Sequence, residues 1–244
     1  MLQMRYVISD VHGCYDEYMK LLRKIHFSDA DELYVLGDAM DRGPEPVKVI
    51  ADMMSRVNVT YILGNHDFIM LTVMRKLFVE ITEENCENYL SKDDLMDYIN
   101  WMQDGGEITL SQFTKLTRRE QRDIPEYLED AFLYQELEDK GKRYVLVHAG
   151  IRGYEKGKEL YEYNFTDFIF HRPDYSKPYF EEDNVYVITG HTPTVLIRAD
   201  RQPKVYCGNG HIAVDCGCVF GGNLAAYCIE TGEVFYVEGR KHKR

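Results

Sequence analysis

The strongest constraint on this chain is an alternation of two hydrophobic periods over its first 65 residues. Arg5–Ser9 is a short β-prone run. Tyr15–Ile25 then places Tyr18, Met19, Leu21, Leu22 and Ile25 at helical spacing. Leu33–Leu36 reads as a second strand, Pro46–Met54 as a helix with proline near its start, and Val57–Leu63 as a third strand. Strand, helix, strand, helix, strand predicts parallel strands joined by crossover helices, an α/β fold.

The remainder changes character twice. Residues 67–131 carry helical patterns, Phe68–Val79 and Lys92–Gln103 among them, and few strand signals, so a helical insert is predicted there. Tyr144–Val147 and Val185–Ile188 return to β pattern. Ile212–Val214, Leu224–Ile229 and Glu233–Val237 read as strand, with Thr231-Gly232 as the last hairpin turn. The basic tail Gly239–Arg244 reads as a frayed end. With no repeat, low-complexity tract or Pro/Gly/Ser linker, one domain over 1–244 is expected.

Charge and cysteine usage narrow the class. Lys plus Arg is 29 against 41 Asp plus Glu, a net charge of −12. That balance argues against non-specific nucleic-acid or anionic-membrane partners, though not against a local basic pocket for phosphate. The chain has no apolar run of membrane-spanning length and no secretion-type leader, so a cytoplasmic setting is expected. The six cysteines form no CxxC pair. They read as reduced and mostly buried, not as a disulfide or zinc framework.

The chemistry concentrates at strand ends. Asp10 and His12 follow the first run, Asp38 the second, Asn65, His66 and Asp67 the third, His148 a later one and His191 another. Crevices in open α/β sheets lie beyond the carboxyl ends of the strands, so these scattered residues are expected to converge. Taken singly each has a bland reading as a turn carboxylate or a buried core histidine; five coincidences in order do not. Oxygen and imidazole ligands suit Mn, Fe or Zn. Three histidines plus several carboxylates exceed one ion's needs, and two ions about 3.5–4 Å apart would use them all.

The blocks Ser9-Asp-Val-His-Gly13, Gly37-Asp-Ala-Met-Asp-Arg-Gly43, Gly64-Asn-His-Asp67, His148-Ala-Gly150 and Gly190-His-Thr192 resemble the calcineurin-like metallophosphoesterases, within them the phosphoprotein-phosphatase branch. Gly105-Gly106 with Thr109-Leu110, and Asp215–Gly222, look like bacterial members. The resemblance implies an αββα sandwich, two mixed sheets flanked by helices. It implies two divalent ions: Mn, with Fe, Zn or Ni as alternatives. Asp10 and His12 would bind the first, Asp38 would bridge, and Asn65, His148 and His191 would bind the second. His66 would be the general acid, oriented by Asp41. Arg42 would bind phosphate with Asn65, and Arg172 is the candidate for a second phosphate-binding arginine. The implied reaction is in-line attack on phosphorus by a metal-bridging hydroxide, with His66 protonating the leaving oxygen.

Three departures bear on substrate. Ser9 stands where the family has glycine; serine is small and little effect is expected. Leu63 stands where protein phosphatases commonly carry arginine, and Asp67 replaces glutamate; both look more like symmetrical diadenosine tetraphosphate hydrolases. Asp41, which those hydrolases often lack, points the other way. The main reading is therefore a phosphoserine/phosphothreonine phosphatase acting on a phosphoprotein or small phosphoester. The alternatives are a diadenosine tetraphosphate pyrophosphohydrolase, in which Tyr89, Tyr98 or Trp101 could stack on a base, although among 19 tyrosines and 11 phenylalanines core packing is the expected role, and a non-catalytic metal-binding module.

Overall fold

A computed structural model of the chain describes residues 3–78 and 90–240. Two five-stranded mixed sheets pack face to face between helices. The first has the order β10-β9-β1-β2-β3, built from β1 (Arg5–Ile8), β2 (Glu32–Val35), β3 (Val59–Tyr61), β9 (Asn223–Cys228) and β10 (Val234–Glu238). β1, β2 and β3 run parallel, as their helical connections require, and β9 and β10 add antiparallel strands at one edge. The second has the order β4-β5-β6-β8-β7, from β4 (Tyr134–Asp139), β5 (Lys142–Val147), β6 (Val185–Thr189), β7 (Tyr206–Gly208) and β8 (His211–Ala213). Its central three strands are parallel.

The central strands are apolar on both faces because both faces are covered. Val7, Leu36, Ile62, Leu146, Ile188 and Tyr227 meet between the sheets. Their sequence neighbours Ile8, Val35 and Ala226 face the other way, into a core shared with α1 (Tyr15–Lys24) and α2 (Pro46–Met54). α1 contributes Tyr18, Leu21 and Leu22, one stripe of its helical period, with acidic residues in its first turn and basic ones in its last. Across the molecule Val145, Val147 and Val187 pack on Phe168 and Ile169 of the short α7 (Phe165–Ile169).

The described part of the insert is helical as expected: α3 (Asn65–Leu77), α4 (Lys92–Trp101), α5 (Glu107–Phe113) and α6 (Arg118–Glu129). Between α4 and α5 lies a π-type turn whose Asp104 and Gly105 leave helical geometry. Val79, Cys86, Tyr89 and the tail beyond Arg240 lie outside the described residues. The sequence pattern does not reveal β4, β7 or α7. β4 is an edge strand with Leu137 as its one buried residue, so its charges hide its period. The C-terminal stretch is not all strand either: a 3-10 turn at Cys218–Phe220 separates β8 from β9. Of the described cysteines, all free, only Cys207 is exposed. Among the described residues no helix is long and apolar enough to cross a membrane.

The sheet interface carries a stability expectation. Leu146 is fully buried there, so Leu146→Ala should cost about 2–5 kcal/mol in urea unfolding. Val57, fully exposed, should tolerate alanine within about 0.5 kcal/mol. A cost under about 1 kcal/mol at Leu146 would contradict face-to-face packing of the sheets.

Candidate metal centre

The strand ends converge, but from two sheets. Asp10 and His12 follow β1, Asp38 follows β2 and Asn65 opens α3 after β3; His148 and His191 arrive from β5 and β6 of the facing sheet. All but His148 line one cleft of about 230 Å³ together with Arg42, His66 and Arg172. His148 lies beneath it, fully buried. The backbone is bent to achieve this. Asp10, His12, Asp38, Asp41, Arg42 and His191 all have positive φ, a conformation that costs non-glycine residues energy and persists only where its surroundings enforce it. Gly64 is needed for close approach: a Cβ there would lie 2.1 Å from Asp38 Oδ1.

The polar groups brought together are almost all acceptors. His12 Nδ1 lies 2.7 Å from the Met40 carbonyl and His148 Nδ1 2.6 Å from the Leu36 carbonyl. Each contact needs the proton on Nδ1, which leaves each Nε2 as a lone pair aimed into the cleft. His148 Nε2 then faces Asn65 Oδ1 at 3.0 Å and Asp38 Oδ2 at 3.5 Å. Asp10 accepts the His191 backbone N–H through Oδ2, and Asp38 accepts the His66 backbone N–H through Oδ1. Their other oxygens stand 4.0 Å and 3.7 Å from His12 Nε2, too far for a hydrogen bond. Burial pushes Asp10 up to about 6 and Asp38 up to about 7, and burial together with neighbouring charges holds His12 and His191 well below the ordinary histidine value. Lone pairs facing lone pairs in a buried place are what a cation reconciles. Two groups offer ligand atoms within 4.8 Å of one another, His12–Asp38–His66 and Asp38–His148–His191, with Asp38 common to both. Ligands of one ion at about 2.1 Å stand at most about 4.2 Å apart, so Asp10 also falls within reach of the first group. The residues present fit a dinuclear centre.

Beside this donor set sits a separate hydrogen-bonded chain. His66 Nδ1 lies 2.9 Å from Asp41 Oδ2. Asp41, fully buried, also receives the Trp101 indole N–H (2.9 Å) and the Thr109 hydroxyl (2.7 Å). Burial opposes the charge of His66, but the Asp38 and Asp41 carboxylates outweigh it and push its pKa up to about 9. The insert supplies this clamp. Gly106 lets Trp101 lie flat against the chain, since a Cβ there would meet the indole at 2.3 Å, and the Gly105 carbonyl accepts the Arg42 backbone N–H. Arg42 reaches His12 Nε2 (2.9 Å) and Asp104 (2.9 Å), with its guanidinium 5.4 Å from the Phe220 ring. Arg172 is exposed at the cleft mouth.

The structure also places the aromatic and departure residues singled out in the sequence. Trp101 is 1% exposed and bonded to Asp41; it packs, as the abundance of aromatic residues predicts. Tyr98 is half-buried against the helical core. Leu63 is buried in that same core, and Asp67 is fully buried. Asp67 Oδ2 accepts the Asp38 and Gly64 backbone N–H groups and the Tyr61 hydroxyl. It pins the β2 turn to the β3 turn and does not face substrate. Sequence reasoning gives no role to Asp104, whose Oδ2 lies 3.4 Å from His66 Nε2, or to Asp215, buried beside Asp10 and raised by burial well above the carboxylate range. Asp215 follows β8 as the others follow their strands, so the same rule would have found it.

The calcineurin-like phosphoesterase family pattern matches residues 5–195. An asymmetrical bis(5'-nucleosyl)-tetraphosphatase, PrpE, from Geobacillus sp. (strain WCH70) is 28% identical over 251 residues, covering 91% of this chain and 88% of that one. A symmetrical bis(5'-nucleosyl)-tetraphosphatase from Buchnera aphidicola subsp. Schizaphis graminum is 40% identical over 99 residues, but covers only 40% of this chain and 36% of its own. Among solved structures, a protein serine/threonine phosphatase from Saccharomyces cerevisiae superposes with a TM-score of 0.61 at 13% identity, over 99% of this chain and 81% of that one. That likeness speaks for the fold alone.

Two outcomes follow from the geometry. In metal-free protein, NMR titration should place His66 near its raised value of about 9, and Asp41→Asn should lower it. Because the folded value is raised above the ordinary 6.5, the proton stabilises the fold fully below about pH 6.5, and this contribution is lost as pH rises through about 9. An unmoved His66 in Asp41→Asn would contradict the pairing. Separately, Asp67→Ala should lower stability by about 2–4 kcal/mol, since it orphans three buried donors; a cost below about 1 kcal/mol would show that the two turns hold without it.

Proposed function

This chain belongs to the calcineurin-like phosphoesterase family of metal-dependent phosphoric ester hydrolases, and we propose that it hydrolyses a dinucleoside tetraphosphate such as diadenosine tetraphosphate. The likeness along nine-tenths of the chain to a relative of that name carries the reading. That likeness, and not Leu63 or Asp67, which are buried, moves the reading away from the phosphoprotein phosphatase favoured by sequence, for which Asp41 stays the main support. The Asp41–His66 pair is intact at 2.9 Å, and phosphoserine or phosphothreonine hydrolysis stays as the second reading. We read 1–244 as one catalytic domain working in the cytoplasm.

In this reading Asp10 and His12 would hold one divalent ion, Asn65, His148 and His191 would hold the other, and Asp38 would serve both; Mn²⁺ is the proposed metal. Ions held there lower the pKa of a water and polarise a phosphoryl oxygen. Arg42 and Arg172 bind phosphoryl oxygens, the first in concert with Asn65, and Arg42 must leave Asp104 to do so. His66 presents Nε2 to the leaving oxygen while Asp41 holds Nδ1 and so fixes the orientation of the ring. Trp101 and Thr109 keep the Asp41 carboxylate from turning.

His66→Ala should lower kcat by about 10²–10⁴ while bound Mn²⁺ per chain stays unchanged. Full activity in that variant would remove the assigned acid. Loss of metal along with activity would place His66 among the ligands, as its membership of a ligand-distance group allows. Offered diadenosine tetraphosphate and a phosphothreonine peptide side by side, the Mn²⁺-loaded enzyme should consume the nucleotide; turnover of the peptide alone would restore the phosphoprotein reading.

A further inference from the structure

One carboxylate already occupies the place where Arg42 and His66 meet. Asp104 Oδ1 lies 2.9 Å from the Arg42 guanidinium and Asp104 Oδ2 lies 3.4 Å from His66 Nε2. A single side chain thus spans the proposed phosphate-binding group and the proposed acid, as an oxyanion held between two donors would. Asp104 also lines the metal-centre cleft. A phosphoryl group in reach of the same two donors has to take this place from it.

The carboxylate cannot go far when that happens. Asp104 and Gly105 form the non-helical step of the turn between α4 and α5. The Gly105 carbonyl accepts the Arg42 backbone N–H at 3.0 Å, and a Cβ on Gly105 would lie 2.6 Å from the Arg42 side chain. Gly106 presses on the Trp101 indole, which is itself bonded to Asp41. The backbone after Asp104 is thus held against Arg42. The Asp104 side chain is 58% exposed, so it has room to turn toward solvent. It is short, however, and its charge stays beside whatever Arg42 binds.

The effect of that charge depends on the group it faces. A phosphorus bridged on both sides, in a phosphodiester or inside a polyphosphate chain, carries one negative charge. A terminal phosphate carries close to two at neutral pH, because its second proton leaves near pH 6. Arg42 exchanges a carboxylate for a phosphoryl group in both cases, so the difference lies in the repulsion left over from Asp104. One extra unit charge about 6 Å from a carboxylate costs roughly threefold to a hundredfold in binding, as the effective dielectric falls from that of water to that of a protein surface.

We propose that Asp104 is a specificity-determining residue, which tunes the cleft toward singly charged phosphorus bridged on both sides and against terminal phosphates. For the natural substrate this rests on the dinucleotide reading, since diadenosine tetraphosphate holds only bridged phosphorus. In hydrolysis a water oxygen bonds to one such phosphorus, and the bridging oxygen leaves with its electron pair and takes the proton of His66. One water proton restores His66, and the other dissociates from the new terminal phosphate, which so gains a charge. Asp104 then repels the product on Arg42 more than it repelled the substrate, and reclosure of the Arg42–Asp104 pair helps that product leave. A phosphomonoester gains no such help, because it enters with the charge its product carries.

Two aryl esters with one leaving group test this on the Mn²⁺-loaded full chain: p-nitrophenyl phosphate, a doubly charged monoester, and bis(p-nitrophenyl) phosphate, a singly charged diester. Asp104→Asn keeps the shape of an exposed side chain and removes its charge; Asp104→Glu keeps the charge. In Asp104→Asn the ratio of kcat/KM for diester over monoester should fall about tenfold, and inorganic phosphate should inhibit about tenfold more tightly. Asp104→Glu should stay within about threefold of the wild-type ratio. An unmoved ratio in Asp104→Asn, equal gains on both esters, unchanged inhibition by phosphate, or an Asp104→Glu that matches Asp104→Asn would overturn the role of Asp104. Cleavage of diadenosine tetraphosphate with an unmoved ratio would remove Asp104 and leave the dinucleotide reading standing. A shifted ratio in a chain that leaves diadenosine tetraphosphate intact would uphold Asp104 and overturn the dinucleotide reading.

Discussion

Everything at this site depends on a collision of lone pairs. Two sheets bring carboxylates, a side-chain amide and neutral imidazoles to one buried place, with backbone carbonyls holding protons on the far nitrogens of His12 and His148. Without positive charge such a cluster is unfavourable, and burial signals as much by pushing Asp10 and Asp38 toward their neutral forms. A divalent ion held there would invert that balance, favouring the charged carboxylates and using the imidazole lone pairs. The positive φ values at Asp10, His12, Asp38 and His191 belong to the same trade. Strained turns aim the donors, and the packed sheets beneath keep the turns from relaxing.

The helical insert is part of this machinery. Its Gly105-Gly106 turn packs on Arg42 and Trp101, and its Trp101 and Thr109 fix the one carboxylate that orients His66. His66, the proposed acid, is thus positioned by a different segment from the proposed ion-binding residues, although it adjoins Asn65 in sequence. The α3 N-terminus contributes as well, since the His66 N–H donates to Asp38 Oδ1, so the Asp38 carboxylate caps the helix that carries His66. Asp67, one residue on, ties that helix start back to the Asp38 turn.

Much of this arrangement is legible in the amino-acid sequence. Strand ends can be read because Tyr6–Ile8 and Val145–Val147 are apolar without interruption, and a polar residue after such a run can only lie at the rim of a sheet. That rule finds Asp10, Asp38, Asn65, His148 and His191, and applied once more it finds Asp215. The division into two sheets is not readable from the pattern itself, since a strand covered on both faces looks alike in either; only the family resemblance supplies it. β4 escapes because an edge strand exposes its charges. Asp104 escapes because an exposed aspartate in a kinked turn has no sequence signature; only the fold sets it between Arg42 and His66. Leu63 and Asp67 differ from the protein phosphatases at positions that look catalytic in sequence, yet both are buried in the fold and neither lines the metal-centre cleft.

The measurement that most directly tests this account is the stoichiometry of Mn²⁺ bound to metal-free protein, by titration calorimetry, for the wild type and three variants. The account requires two ions per chain in the wild type. His12→Ala and His191→Ala should each lose one, and Asp38→Asn, which removes charge from the shared carboxylate, should weaken both. A wild type that binds a single ion, or an Asp38→Asn variant that keeps one site at full affinity, would contradict the claim that Asp38 joins two metal sites.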